Sequence, residues 1–339
     1  MPLSAAPSWL VPLIAQLDSA RRNGRFPHSL LLQGSPGIGS RWLAEWIASA
    51  LLCTHADRAP CGECRACCWV AQGEHPDLII LDTGEESRQI RIEQVRELAA
   101  QLALRSHQGG ARVGLLLNAD ALNRNAANAL LKTLEEPPSG AFLVLAAALP
   151  SRLPATIRSR CQTIRLPQPS RPASLAWLRA GEPGAANPDV ANPHAANPHA
   201  DWDAVLDIVG ENPLTARDVD PAAAARLRAD TLEGLERTLR RQGDTAELAE
   251  RWSRSELPLR LRLFETWLTN RIRARVSKPV ITAELRPEAH LPGAKYVMNI
   301  GPVFELLEGV RELQSALEGP INRSLALEVL LARLAARAA

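Results

Sequence analysis

The sequence predicts an α/β fold built on a parallel sheet, followed by an all-helical C-terminal region. Three observations predict it. Short apolar runs alternate with helix-period segments across residues 1–167. A glycine-rich turn lies between the first of these runs and the helix after it. Residues 217–339 then read as helix rich in Leu and Ala, apart from a Pro-bearing stretch at 278–296. Runs that are apolar throughout, separated by helices, suit a parallel sheet covered on both faces.

The elements follow in order. Residues 8–23 have helical periodicity and stop at Gly24. Residues 28–33 form the first strand and enter the turn at 34–39, and 41–53 is the next helix. The second strand is 77–81, followed by an amphipathic helix at 90–104 and a third strand at 113–117. The helix at 123–136 places Ala127, Leu130, Leu131 and Leu134 on one side and is stopped by Pro137 and Pro138. Strands at 142–147 and 162–166 complete the sheet.

Residues 168–216 read as a smaller helical region with an interruption. Three tandem pentapeptides at 186–200, each centred on Pro, cannot continue a helix and read as an inserted flexible loop. His194 and His199 within it fit a solvated linker better than a metal site. Beyond it, 257–276 and 302–317 are amphipathic and 324–338 is rich in Leu and Ala. Trp252 and Trp267 lie on such helices and are expected in the core.

A chain of 339 residues suits two or three domains. Hydrophobic residues at 46% beside charged residues at 22% exclude wholesale disorder. The formal net charge of +2 gives no overall basic field to drive nucleic-acid binding by itself. The longest apolar run, near 142–149, falls short of the ~18–20 residues of a membrane span. No basic stretch leads into an apolar one at the N-terminus, so no export signal is expected and the cytoplasm is the expected location.

In a reducing compartment, clustered thiols point to metal. Cys53, Cys61, Cys64 and Cys67 are separated by seven, two and two residues, a spacing that can surround a tetrahedral Zn²⁺. Four thiolates leave no open position, so the ion would be structural. An iron–sulfur cluster is the weaker rival. From spacing alone Cys68 can replace Cys67, and His55 can replace Cys53.

The turn reads Gly34-Ser35-Pro36-Gly37-Ile38-Gly39-Ser40-Arg41, in the strand–turn–helix context of a phosphate-binding loop. Gly34 and Gly39 fit the G-x-x-x-x-G-K-S/T pattern; Ser40 stands at the Lys position and Arg41 at the Mg²⁺-ligating position. The Lys supplies charge to the β/γ-phosphates and the hydroxyl helps to hold Mg²⁺. The third strand ends in Leu117-Asn118-Ala119, so the carboxylates expected there are missing as well. A working ATP-hydrolysing site is not expected, and ATP or ADP binding at this turn is doubtful.

Thr156-Ile157-Arg158-Ser159-Arg160-Cys161 follows the fourth strand. Arg158 and Arg160 read either as a solvated basic turn or as an arginine offered in trans to a neighbour's nucleotide. Cys161 reads as a buried or spare thiol.

With 28–34, the four spaced Cys, the string Asn128-Ala-Leu-Leu-Lys-Thr-Leu-Glu-Glu-Pro-Pro138 and Ser159-Arg160-Cys161, the chain resembles the bacterial DNA polymerase III clamp-loader family, and within it the delta-prime branch. The lost Lys and acidic pair beside a retained Ser-Arg-Cys separate it from gamma/tau. The resemblance implies an AAA+ P-loop parallel sheet with an inserted zinc module (residues 1–167, module at 53–68). It also implies a small helical lid (168–216, repeat at 186–200) and an all-α collar (217–339). It implies a non-catalytic stator in a five-subunit ring with delta and three gamma/tau copies, with Arg160 reaching the adjacent gamma/tau ATP site. Zinc would be held by Cys53, Cys61, Cys64 and Cys67. The ring would load the β sliding clamp on primed DNA. The Asn-Pro repeat and the degraded turn at Gly34, Gly37, Gly39, Ser40 and Arg41 depart from the family pattern.

Two rival functions remain. In one, the chain is a clamp-loader ATPase whose Arg41 replaces the Lys charge. In the other, it is a zinc-bearing DNA-binding adaptor, which the near-neutral charge disfavours.

Overall fold

Each apolar run of the first half forms a strand: β1 (Ser29–Gln33), β2 (Leu78–Leu81), β3 (Arg112–Leu116), β4 (Ala141–Ala147) and β5 (Gln162–Arg165). They make one parallel sheet in the order β2-β3-β4-β1-β5. The computed structural model describes residues 6–83, 89–180, 200–276, 300–317 and 319–336. The Asn-Pro repeat, apart from Ala200, and the stretch at 278–296 lie outside the described residues.

Strand β1, between β4 and β5, pairs Leu31 with Leu145 on one side and with Thr163 on the other. Its side chains alternate between two cores, as a pleated strand requires. Leu30 and Leu32 pack with α1 (Val11–Arg22) and α2 (Ser40–Leu52), through residues such as Ile14, Leu43 and Ile47. Leu31 packs on the other face with α4 (Ile92–Leu102) and α5 (Arg124–Glu135), through Val95, Leu98 and Leu130. Both faces of β1, β3 and β4 are covered, which is why these strands are apolar at consecutive positions, whereas edge strand β5, Gln-Thr-Ile-Arg, is largely exposed.

Two short helices add to the elements read from sequence: α3 (Arg65–Gln72) inside the Cys-rich segment and α6 (Ala155–Arg158) before β5. Cys64 caps α3, its sulfur accepting from the Cys67 N–H, so the thiol spacing itself starts that helix.

The chain divides into two compact units. The sheet unit carries the elements above with α7 (Arg171–Ala180). The second unit is helical: α8 (Trp202–Val209), α10 (Pro221–Leu239), α11 (Thr245–Arg254), α12 (Leu257–Val276), α13 (Ile300–Ala316) and α14 (Arg323–Ala336). Trp252, Phe264, Trp267, Val310 and Leu331 are in its core, where both Trp residues were expected. The segment 168–216 does not group as one body. Helix α8 falls with the helical unit, whereas α9 (Pro213–Ala216) falls with the sheet unit. The cause is local: α8 buries Trp202, Val205, Leu206 and Val209, and α9 is tied to the glycine turn by a backbone hydrogen bond. Among the described residues no helix is long and apolar enough to cross a membrane.

A buried ion pair joins β2 to β3. Asp77 is 1% exposed and Arg112 is 5% exposed, with Oδ1 and Nε 3.7 Å apart. The Asp77 carboxylate also accepts from Ser106 Oγ (2.9 Å) and from the N–H of His107 (2.9 Å) and Gln108 (3.3 Å). Burial alone would raise its pKa, but these donors and Arg112 outweigh it and hold the carboxyl below its ordinary value. A lowered carboxylate pKa stabilises the fold fully above the unfolded value of about 4, and the benefit is lost as pH falls through the folded value. Asp77→Ala is expected to cost about 3–5 kcal/mol in urea unfolding at neutral pH, because Arg112 is left buried without its counter-charge. The same variant should show a flatter loss of stability than wild type below pH 4.

Candidate functional site

Parallel pairing sends the C-terminal ends of all the strands to one edge of the sheet. The glycine turn after β1, Asp82 after β2 and Asn118 after β3 therefore share that edge. Arg160, just before β5, and Glu135, before β4, lie at the opposite edge. Gln162 pairs with Leu30 and Arg165 with Gln33, so the length of β5 separates Arg160 from the level of the turn. At ~3.3 Å per residue, that strand alone spans about 13 Å.

The turn packs against neighbouring residues of the same unit. Gly37 and Gly39 have φ of 78° and 113°, which glycine adopts without strain. The Gly37 carbonyl accepts from the Leu214 N–H of α9 at 3.0 Å. A Cβ on Gly37 would stand 2.2 Å from Thr215 Oγ1 and 2.8 Å from Asn212 Cβ. From the other side, Trp9 Nε1 donates to the Ile38 carbonyl at 2.8 Å. Leu10 Cδ1 would meet a Cβ on Gly39 at 2.7 Å.

The charged side chains here are paired with one another, but Ser40 is not. Ser40, at the Lys position, has its Oγ buried with no hydrogen-bond partner. Arg41 donates to Glu45 Oε1 and to Asp82 Oδ2, each at 3.0 Å. Asn118, left-handed at φ 57°, donates its amide to Asp82 Oδ1 (2.7 Å) and Thr83 Oγ1 (3.2 Å). Asp120 accepts from the Leu149 N–H at 3.0 Å and so orders the turn after β3. The sequence alone gives no sign of the Arg41–Asp82 pair, since the two residues are far apart along the chain.

The Cys-rich segment brings four thiols together. Cys53 and Cys64 sulfurs are 3.9 Å apart, as are those of Cys61 and Cys67. Four sulfurs at ~2.3 Å around a tetrahedral ion would be about 3.8 Å from one another, and these two pairs match that spacing, although the donor atoms that all lie within 4.8 Å of one another are those of Cys53, His55, Cys61 and Cys64, without Cys67. Backbone N–H groups of His55, Cys64 and Cys67 donate to the sulfurs of Cys53, Cys61 and Cys64. Burial opposes ionisation of Cys64, but hydrogen bonds with Thr54 and from the Cys67 N–H outweigh it and bring the thiol down to about 5. Burial pushes the Cys67 thiol up. His55 Nδ1 is 3.5 Å from Cys61 Sγ, and His55, Cys53, Cys61 and Cys64 all present donor atoms within 4.8 Å of one another. His55 therefore stands beside Cys53 rather than in its place. Cys68 is exposed, and its thiol reaches the Glu63 carbonyl at 3.9 Å.

At the opposite edge, Arg160 Nη2 is 2.5 Å from Glu135 Oε1. Its Nη1 donates to the Thr156 carbonyl (3.0 Å) and meets Ser159 Oγ (3.5 Å). Cys161 is buried against the sheet, and that burial raises its thiol to about 11.

The protein family described as DNA polymerase III, delta subunit matches residues 11–170. DNA polymerase III subunit delta' of Pseudomonas aeruginosa is 38% identical over 260 residues, covering 76% of this chain and 75% of that protein. The subunit delta' of Escherichia coli is 36% identical over 196 residues, covering 52% of this chain and 59% of that protein. DNA polymerase III subunit tau/gamma of Haemophilus influenzae is 37% identical over 155 residues, covering 45% of this chain but 22% of that protein.

Closure of the turn has a direct test. Gly37→Ala is expected to destabilise the chain by roughly 1–3 kcal/mol in denaturant unfolding, through its left-handed backbone and its collision with Thr215. A stability equal to wild type would mean that α9 is not seated on the turn in solution.

Proposed function

The chain belongs to the DNA polymerase III delta-prime family, and from that membership we propose that it is a non-catalytic stator of the clamp loader. Its Arg160 acts as an arginine finger in trans on the ATP site of a neighbouring gamma/tau subunit. Delta and gamma/tau are its ring partners, and the ring loads the β sliding clamp on primed DNA in an ATP-dependent way. Its place of work is the cytoplasm.

One observation carries the trans reading. Arg160 and the glycine turn lie at opposite edges of one sheet, which supports a role toward another chain's nucleotide rather than its own. Arginine suits this work because it stays charged and matches phosphate oxygens with two parallel donors. In transferring a phosphoryl group it offsets charge spread over the equatorial oxygens.

The absence of hydrolysis in this chain rests on its own edge. Ser40 brings no charge, Arg41 is held by Glu45 and Asp82, and Asn118 stands where a carboxylate is needed. The rival ATPase reading asks Arg41 to replace the missing Lys, and its two carboxylate partners count against that. The same reasoning disfavours ATP or ADP binding at Gly34, Gly37, Gly39, Ser40 and Arg41.

The metal is a structural Zn²⁺ held by Cys53, Cys61, Cys64 and Cys67. The ion would supply four bonds to a segment whose secondary structure is a single 3-10 turn at Ala56–Arg58 and the start of α3, and that is stabilisation rather than catalysis. In this proposal, by family likeness alone, the chain is further divided into the sheet domain 1–167, a lid segment 168–216 whose helices α8 and α9 group with different compact units, and a collar 217–339.

Two measurements test this. In reconstituted loader with clamp and primed DNA, Arg160→Ala should lower ATPase while circular dichroism and zinc content stay unchanged. The loss at the one affected site can reach ~10³-fold, and activity at the other sites makes the whole-ring effect smaller. Wild-type rates would remove the finger. Metal analysis should find one zinc per chain, and Cys61→Ser should lose the metal together with several degrees of thermal midpoint. A metal-free wild type would remove the zinc assignment.

A further inference from the structure

Glu135 and Glu136 end helix α5, at the pole where the helix macrodipole is negative. Carboxylates are unfavourable there and cations favourable. A local rule broken without an evident structural gain marks a functional position more often than an accident. The partner that answers Glu135 is on the page: Arg160 Nη2 stands 2.5 Å from its Oε1.

The guanidinium of Arg160 is held from two helix ends. Short helix α6 supplies the Thr156 carbonyl at 3.0 Å and adjacent Ser159 supplies its hydroxyl at 3.5 Å, both to Nη1. Helix α5 supplies the Glu135 carboxylate to Nη2. The backbone beneath is fixed by Ile157 and Cys161, which are buried in the same core as Leu130 and Leu134 of α5. With the backbone held, the freedom left is that of the arginine's long side chain, and Glu135 restricts it.

Both side chains are part exposed, Arg160 at 35% and Glu135 at 49%. A pair so exposed is weak. It cannot lock the arginine against a phosphate, but it can favour one rotamer of a long side chain. We propose that Glu135 is a positioning residue that aims Arg160 across the subunit boundary, a role that rests on the trans-arginine reading of Arg160. It does not touch the nucleotide.

The test compares wild type, Glu135→Ala, Glu135→Gln, Arg160→Ala and the Glu135→Ala/Arg160→Ala double variant in reconstituted loader with clamp and primed DNA. The quantity read is the Arg160-dependent part of the ATPase, wild type minus Arg160→Ala. Glu135→Ala should lower the kcat of that part by about 2- to 5-fold, the size of an exposed ion pair, with KM for ATP unchanged. Glu135→Gln keeps an acceptor for the guanidinium and should fall between Ala and wild type. The double variant should match Arg160→Ala, because positioning has no effect once the arginine is gone. Removing a carboxylate from a helix C-terminus should leave thermal stability equal or slightly higher, so lost stability cannot account for lost rate.

If the Arg160-dependent part exists and Glu135→Ala leaves it at the wild-type level or raises it, the positioning role is overturned and the finger stands. If the double variant is slower than Arg160→Ala, Glu135 acts by another route and the proposal also falls. If Arg160→Ala itself has wild-type rates, the finger reading fails first.

Discussion

Parallel pairing of β1 with both β4 and β5 is the constraint on which the rest of the sheet unit depends. It places β1 inside the sheet with neighbours on both sides, and it assigns each loop to an edge. A strand reversed in this sheet would carry its loop to the other side. The glycine turn, Asp82 and Asn118 are neighbours for that reason alone, although long stretches of chain separate them. The same constraint keeps Arg160 away from them. Covering both faces with helices makes this arrangement stable and supplies the two cores that meet at β1.

The edge that carries the turn has become an internal contact surface. A phosphate-binding loop works by presenting backbone N–H groups to an anion from outside. Here the Gly37 and Ile38 carbonyls serve Leu214 and Trp9, and the charged groups nearby satisfy one another. The glycines therefore persist for a structural reason. They permit the left-handed backbone and the close approach of α9 and Leu10, which any larger residue would obstruct.

The strands were legible because burial on both faces leaves a mark in the sequence: Leu30, Leu31 and Leu32 are all apolar, and so are Val113 to Leu117. The helix at α5 was legible through Leu130 and Leu134 and the two prolines after it. The thiol cluster was legible because its members are close in sequence, and His55 was visible for the same reason. What sequence left hidden were pairs distant along the chain. Asp77 with Arg112, Arg41 with Asp82 and Glu135 with Arg160 depend on which strands are neighbours, and periodicity does not encode that. The separation of α8 from α9 was hidden too, since both follow the same Pro-rich repeat and only their tertiary partners differ.

A domain with its socket at one edge and its prong at the other has a direction. Copies with both ends intact can be added in a row indefinitely, and a closed circle of them has no beginning. If Arg160 acts in trans as proposed, a member whose own turn has Ser40 in place of the Lys can still offer that arginine to the next, yet it has no hydrolysis of its own for an earlier arginine to complete. In the proposed ring such a chain is a terminus: chemistry passes out of it and never into it. One broken symmetry of this kind is sufficient to tell an assembly where counting starts.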